Sequence, residues 1–284
     1  MVWINMSVER IRQIQRYSAK RNQDPQLSTD QVAIEEPLEI QLDGEPLAVI
    51  MRTPGNDLEL VAGLLLTEEL IQHSDDLLML EHCRDPEETN AGNIVKVKLS
   101  ESCLERIHLS KNTDRMTRTF LTSTSCGVCG KQSIASLHAS TPPFPNYEST
   151  CIEDVALFSE KMKTHQTLFD KTGGIHAAAL FAKSGELILL REDVGRHNAV
   201  DKCIGSLVLT EQLPIDNCSL MVSGRTSFEI VQKALVARIG TIAAVSAPSS
   251  LAIELAQESR INLFGFVREN GLNIYASERL ESQA

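Results

Sequence analysis

Aromatic side chains are scarce in this chain, 4% of 284 residues with a single tryptophan. That scarcity disfavours single-stranded nucleic-acid binding, where bases stack on aromatic faces. A surplus of basic charge is also missing. The formal net charge is −11, and so acidic a chain is poorly suited to sequence-independent contact with phosphate backbones. A local basic pocket for one anionic ligand is still compatible with it. No apolar run approaches the length that spans a bilayer. The segment 1–20 carries Arg10, Arg12 and Arg16 without an apolar block or a small-residue cleavage site, so it does not read as a secretory signal. Cysteines number seven, odd and mostly scattered, which suits a reducing compartment better than a disulfide framework. The expectation is a soluble cytoplasmic protein with no nucleic-acid and no membrane partner.

Hydrophobic content of 42% and charged content of 23% leave room for one large domain or two modest ones, each with a buried core. Residues 1–35 are polar and read as a loosely held N-terminal arm. Residues 39–50 alternate around Asp43-Gly44, a pair that supports the positive backbone angles of a tight hairpin. From Asp57, the residues Leu60, Val61, Leu64, Leu65 and Ile71 recur at helical spacing, with Asn56 as a cap. Residues 94–99 alternate apolar with lysine, as a half-buried strand does. Residues 122–130 are rich in Ser, Thr, Gly and Cys without periodicity and read as a loop; 141–150, with three prolines, reads as a linker. Beyond it, strand-like runs at 177–181, 187–190, 219–222, 242–245 and 261–267 alternate with helical stretches from about His197, at 227–238 and at 249–257. That alternation predicts an α/β layer with a mainly parallel core sheet. The expected division is an arm (1–35), an N-terminal α+β part (36–145) and an α/β domain (146–284).

The sharpest local feature is Cys126-Gly127-Val128-Cys129-Gly130-Lys131. Two thiols separated by two residues meet within one turn, and nearby amides and cations acidify the first. A thiolate is the species that attacks sulfur, so such a pair suits disulfide or persulfide exchange. Two incidental thiols would explain it too, although structural cysteines usually sit among apolar neighbours. A zinc half-site would need two further ligands, and no second Cys-x-x-Cys exists, with His138 and His165 isolated. A thioredoxin-type pair would open a helix in a βαβ unit, whereas this pair lies in a Ser/Thr-rich loop.

Arg191-Glu192-Asp193-Val194-Gly195-Arg196-His197-Asn198-Ala199-Val200-Asp201-Lys202 follows a strand and leads into a helix, where α/β sheets place ligands. A helix start with Arg196 beside it suits phosphate oxygens; a salt-bridged, capped surface turn accounts for the same residues. Ser223-Gly224-Arg225-Thr226-Ser227 repeats the layout, and two such turns point to one shared anion site. Neither is a P-loop or a Rossmann fingerprint, since the glycine spacings do not fit. Thr172-Gly173-Gly174-Ile175-His176 sets a histidine before a strand of small residues. Phe266-Val267-Arg268-Glu269-Asn270-Gly271 ends the last core strand in an Asn-Gly turn, again at the ligand edge.

Taken in order, these motifs, with Ala244-Val245-Ser246-Ala247-Pro248-Ser249-Ser250-Leu251-Ala252, resemble the formate dehydrogenase accessory sulfurtransferase (FdhD) family. The resemblance runs from about Glu36 to Tyr275. It implies a cytidine-deaminase-like α/β/α layered domain with a smaller N-terminal α+β part, in a homodimer. It also implies a sulfur carrier that accepts persulfide sulfur from a cysteine desulfurase and passes it to the molybdenum bis(molybdopterin guanine dinucleotide) cofactor for formate dehydrogenase, with no permanently bound metal. Carried over, Cys126 bears the persulfide and Cys129 assists its relay or release. The cofactor falls on Phe266, Val267, Arg268, Glu269, Asn270 and Gly271, with Arg196, Arg225 and Arg268 for its phosphates and His176 and His197 nearby. Asp193, His176 and His197 remain alternatives for handling protons. Cys83, Cys103, Cys151, Cys203 and Cys218 read as bystanders.

Two rivals follow. A zinc nucleoside deaminase needs His-x-Glu and then Pro-Cys-x-x-Cys, but His176-Ala177-Ala178 lacks the glutamate and Ser125 precedes the cysteine pair. A non-catalytic chaperone for the molybdenum cofactor would need the cleft without the thiol chemistry.

Overall fold

A computed structural model describes residues 9–16, 26–109, 141–144, 151–214 and 218–277. The 31 residues 110–140, with Cys126 and Cys129, lie outside the described set, as do 145–150.

The C-terminal half is built on a six-stranded sheet of order β12-β11-β10-β9-β7-β8. Its strands are β7 (His176–Phe181), β8 (Leu187–Asp193), β9 (Ser219–Val222), β10 (Thr241–Ala244), β11 (Asn262–Arg268) and β12 (Gly271–Ala276). β9, β10 and β11 pair in parallel, while β7 runs antiparallel to both β8 and β9, and β12 antiparallel to β11. Every residue of β9 and β10 is buried, as central strands covered on both faces must be.

Side-chain parity along β7 shows how the layers form. Ala177, Ala179 and Phe181 face one way and join Val155, Phe158 and Met162 of helix α3 (Ile152–Lys163) in one core. The Phe158 and Phe181 rings stack with centroids 4.0 Å apart. Ala178 and Leu180 face the other way, into a second core with helices α5 (Arg196–Leu209), α6 (Phe228–Val236) and α7 (Ser250–Glu258). The result is the expected α/β/α layering, with helices supplied on one face by the stretches that follow β8, β9 and β10.

The N-terminal part adds a four-stranded sheet of order β4-β3-β6-β5 and helix α1 (Asp57–Thr67). β3 (Glu36–Leu42) and β4 (Glu45–Arg52) form the expected hairpin, its turn residues Asp43 and Gly44 at φ 50° and 88°. β5 (Leu77–His82) and β6 (Ile94–Leu99) complete the sheet, and α2 (Glu101–Leu109) follows it. The arm is not irregular throughout. β1 (Glu9–Arg16) and β2 (Gln26–Ala33) pair antiparallel over eight residues each, and the Arg10–Glu36 ion pair joins this ribbon to β3.

The second core does not stop at the expected 145/146 boundary. It runs through Leu38, Leu60, Val61 and Val95 into Ala199, Ile204 and Leu220. The bridge is α1 against α5, where Gly63 and Gly205 bring two helix backbones into contact. A Cβ at Gly205 would lie 1.7 Å from the Glu59 carbonyl oxygen, and one at Gly63 1.9 Å from that of Asp201. No side chain larger than hydrogen fits either place.

Candidate functional site

Sheet direction gathers the sequence motifs at one edge. β8 to β11 all end there, and antiparallel β7 begins there with His176. The segments after β9, β10 and β11 lie side by side. Thr226 pairs with Pro248 as a parallel bridge, the Thr226 N–H donates to Ala247 O at 3.3 Å, and the Phe266 N–H donates to Ser246 O at 3.3 Å. His176, Arg196 and Gly224 converge as well, since a Cβ on Gly224 would lie 3.4 Å from His176 Nδ1 and 3.5 Å from Arg196 Cδ. The Ser223 hydroxyl accepts from the Ala177 N–H at 2.9 Å and lies 3.4 Å from His176 Nδ1.

Five of the charged residues at 191–202, Arg191, Glu192, Asp193, Asp201 and Lys202, prove to be fasteners. Arg191 Nη2 donates to Glu59 Oε1 of α1 at 2.7 Å. The two oxygens of Glu192 accept from the Leu168 and Phe169 N–H groups, each at 2.9 Å, at the start of α4 (Thr167–Thr172), the helix that leads to His176. Asp193 is fully buried. Its carboxylate meets Lys202 Nζ at 2.7 Å and accepts from the N–H groups of Thr53 (3.1 Å) and Gly195 (2.8 Å) and from Asn198 Nδ2 (2.9 Å). Both oxygens of Asp193 are thereby engaged in holding the turn. Lys202 also donates to Thr53 O at 2.9 Å, and Asn198 to Met51 O at 2.8 Å, so the turn after β4 is pinned to the ligand edge.

That turn was not singled out by sequence reasoning. Arg52-Thr53-Pro54-Gly55-Asn56-Asp57 holds a buried ion pair, Arg52 Nη2 to Asp57 Oδ2 at 2.9 Å, with a further bond from Arg52 Nη2 to Asn93 Oδ1 at 2.8 Å. The available signal was an Arg and an Asp bracketing Pro-Gly after a strand. A second buried cluster, Lys233 with both Asp201 oxygens and Thr67 Oγ1 at 2.8 Å each, ties α6 to α5 and α1.

Arg196 and His197 are thereby left at the first turn of α5. His197 Nε2 lies 3.2 Å from Glu229 Oε2 of α6. Despite that carboxylate, burial, with Lys233, Arg196 and His176 nearby, pushes the imidazole down to about 3, so it is neutral near pH 7. Burial and then Arg196 also lower His176, against an opposing pull from Asp193. Around them, Arg196 Nε, His197 Nδ1, Thr226 Oγ1 and Ser227 Oγ are buried without a hydrogen-bond partner. Ser227 holds the N-cap position of α6 yet does not cap it, whereas Ser249 does cap α7.

At 266–271 the chain bends through a bulge. Phe266 takes φ 52° and is 44% exposed, and Glu269 and Asn270 form the turn to Gly271. Arg268 Nη1 donates to Val245 O at 2.7 Å and to Val267 O at 2.8 Å, so at least this nitrogen braces backbone rather than facing a phosphate. Arg225 is exposed within the 223–227 turn.

The cysteines divide sharply. Cys83, Cys103, Cys203 and Cys218 are buried, and burial pushes the Cys203 and Cys218 thiols up to about 12. Cys151 is exposed. Cys126 and Cys129 lie outside the described residues.

Fold and site together define an α/β layered protein with polar side chains gathered at the strand ends. Among the described residues, no three His, Cys, Asp or Glu side chains are grouped to hold a metal ion. No described helix is long and apolar enough to cross a membrane. Residues 33–281 match the FdhD/NarQ family, and the chain belongs to it. It is 43% identical over 270 residues to the sulfur carrier protein FdhD of Streptomyces avermitilis, covering 91% of this chain and 92% of that one. Identity to the protein of the same name from Mycobacterium tuberculosis is 41% over 268 residues, with 91% and 97% covered. For that of Sulfolobus acidocaldarius it is 42% over 255 residues, with 89% and 92% covered. The fold is shared with a crystal structure described as a formate dehydrogenase accessory protein from Desulfotalea psychrophila, at 22% identity and a TM-score of 0.73, over 96% of this chain and 98% of that one.

Proposed function

We propose that this protein is a sulfur carrier that matures formate dehydrogenase. The observation that carries the reading is its 41–43% identity, across about nine-tenths of its length, to proteins named sulfur carrier protein FdhD. In this reading the Cys126 thiolate attacks the outer sulfur of a cysteine desulfurase persulfide. A new S–S bond forms on Cys126, the donor's S–S bond breaks, and the donor cysteine leaves as thiolate, so no external oxidant or reductant is needed. Cys129 assists relay or release. Attack of the Cys129 thiolate on the inner sulfur of the Cys126 persulfide forms a Cys126–Cys129 disulfide, breaks the persulfide S–S bond and releases the outer sulfur at the sulfide level to the molybdenum bis(molybdopterin guanine dinucleotide) cofactor, the substrate held at the strand ends by Arg196, His197, Arg225, His176 and 266–271. The working unit is a cytoplasmic homodimer.

Two structural facts support the assignment. Burial and raised pKa remove Cys203 and Cys218 from thiolate chemistry. The strand-end edge also gathers four polar side-chain atoms that are buried without a hydrogen-bond partner.

The test is Cys126→Ala, with mass spectrometry of the purified chain after incubation with desulfurase and cysteine. Expected are a gain of one sulfur on the peptide containing Cys126 in the parent chain, none there in the variant, and loss of formate dehydrogenase maturation. Undiminished maturation with Cys126→Ala would overturn the carrier role. No sulfur gain together with intact cofactor binding would leave the non-catalytic chaperone.

A further inference from the structure

Among the described residues, the β1–β2 ribbon is a sheet of only two strands. Such a pair is marginally stable in water unless a third strand joins it or a face is packed. The base of the ribbon is fastened. Arg10 Nη2 donates to Glu36 Oε1 at 2.8 Å, and Lys171 Nζ lies 2.9 Å from Glu9 Oε1. Further along, the strands stand in solvent. Leu27 is 80% exposed and Ile11 68%, more than any other large apolar side chain described. Ile11 pairs with Gln31 and Gln15 with Leu27, so both aliphatic residues fall on one face. That face reads Ile11, Gln13, Gln15, Leu27, Thr29 and Gln31, without a charge.

Each strand also has a long edge with no strand neighbour among the described residues. Exposed edges are ordinarily guarded by lysine or proline. Gln26–Ala33 contains neither, and Asp30 is its one charged residue. Charge distinguishes the two edges. In β1, antiparallel self-pairing about residue 11, 12, 13 or 14 sets arginine opposite arginine, because Arg10, Arg12 and Arg16 share a parity. In β2, pairing about Thr29 sets Leu27 against Gln31, Ser28 against Asp30 and Gln26 against Val32, with no like charges opposed. Centring on Asp30 instead would place that carboxylate against itself. Segment 10–21 holds five Lys and Arg and no acid, which leaves 22 of the chain's 27 Lys and Arg to face all 38 Asp and Glu. A second copy therefore offers the arginines of β1 a surface of opposite sign.

We propose that the open edge of β2 pairs antiparallel with β2 of a second copy about a two-fold axis at Thr29, joining two ribbons into one continuous sheet of four strands. The contact is isologous, each copy giving the same residues to it. It deepens the carrier reading by naming a surface for its homodimer, and it rests on that reading for there being one.

Sedimentation equilibrium of the full chain tests the idea, with Thr29→Lys, Thr29→Glu and an equimolar mixture of the two. The wild type is expected to be a dimer. Either variant alone brings like charges together at the axis and should raise the dissociation constant roughly fivefold or more. The mixture pairs opposite charges and should recover wild-type affinity. Thr29 is exposed, so no core is disturbed, and a misfolded chain would not recover on mixing. A monomeric wild type, an unchanged dissociation constant in both variants, or no recovery in the mixture would overturn the proposal. Sulfur loading of Cys126 on the same samples separates the two claims. A wild type that loads sulfur but associates as its variants do sinks this inference alone. A wild-type dimer that passes the mixing test but takes up no sulfur sinks the carrier reading alone.

Discussion

His197 provides a pH-dependent stability that can be separated from everything else in the fold. Its imidazole is held at about 3 against an ordinary 6.5. A group depressed in the folded state keeps the fold stable above the unfolded value and withdraws that stability as pH falls towards the folded one. At about pH 5 the unfolded imidazole is mostly protonated and the folded one is not, which costs about 2 kcal/mol relative to about pH 7.5, rising to roughly 5 kcal/mol below pH 3. The side chain is 19% exposed, so solvent screening takes little from this figure. The groups facing it are Arg196 on its own helix, Glu229 and Lys233 on α6, and His176 on β7. The assay is urea unfolding followed by far-ultraviolet dichroism at the two pH values, for the wild type and for His197→Gln. Both chains will lose stability on acidification through their other groups, and the wild type should lose about 2 kcal/mol more. Equal losses would refute the claim that burial and neighbouring cations keep this ring neutral.

Lys202→Met should cost about 3–5 kcal/mol in urea unfolding, because it leaves the Asp193 carboxylate buried without its cation; adding Asp193→Asn should recover much of the loss. A cost under about 1 kcal/mol would mean that the pair does not fasten the 51–57 turn. In the native state a thiol reagent should label Cys151 but not Cys83, Cys103, Cys203 or Cys218, which become reactive only in denaturant. Fast native labelling of Cys203 would contradict its burial.

The elements of the C-terminal sheet were legible because their signals are local. The run 219–222 coincides with β9, and in the N-terminal sheet 94–99 coincides with β6 and the Asp43-Gly44 turn fell where its backbone angles required. The ribbon formed by β1 and β2 was not legible, since Glu9–Arg16 carries only two apolar residues, Ile11 and Ile14, three apart rather than alternating, and its pairing depends on a partner strand. The motif at 191–202 located the site but hid its division of labour. Arg191 finds Glu59, and Asp193 finds Thr53, at separations of 132 and 140 residues, and no spacing rule reaches that far. The sequence therefore marked Asp193, Arg196 and His197 alike, and only packing separates the fastener from the groups left unpaired. Arg268 makes the same point: its Nη1 holds two backbone carbonyls that no local pattern announces.

The touching backbones at Gly63 and Gly205 bear on how the protein can move. Two helices in such intimate contact leave no lubricating layer of side chains along which one could slide. The turn at 51–57 enters the first of them, and the ligand edge opens onto the second. Sliding of α1 along α5 would drive backbone into backbone, so the contact holds the N-terminal sheet in one position against the strand-end edge.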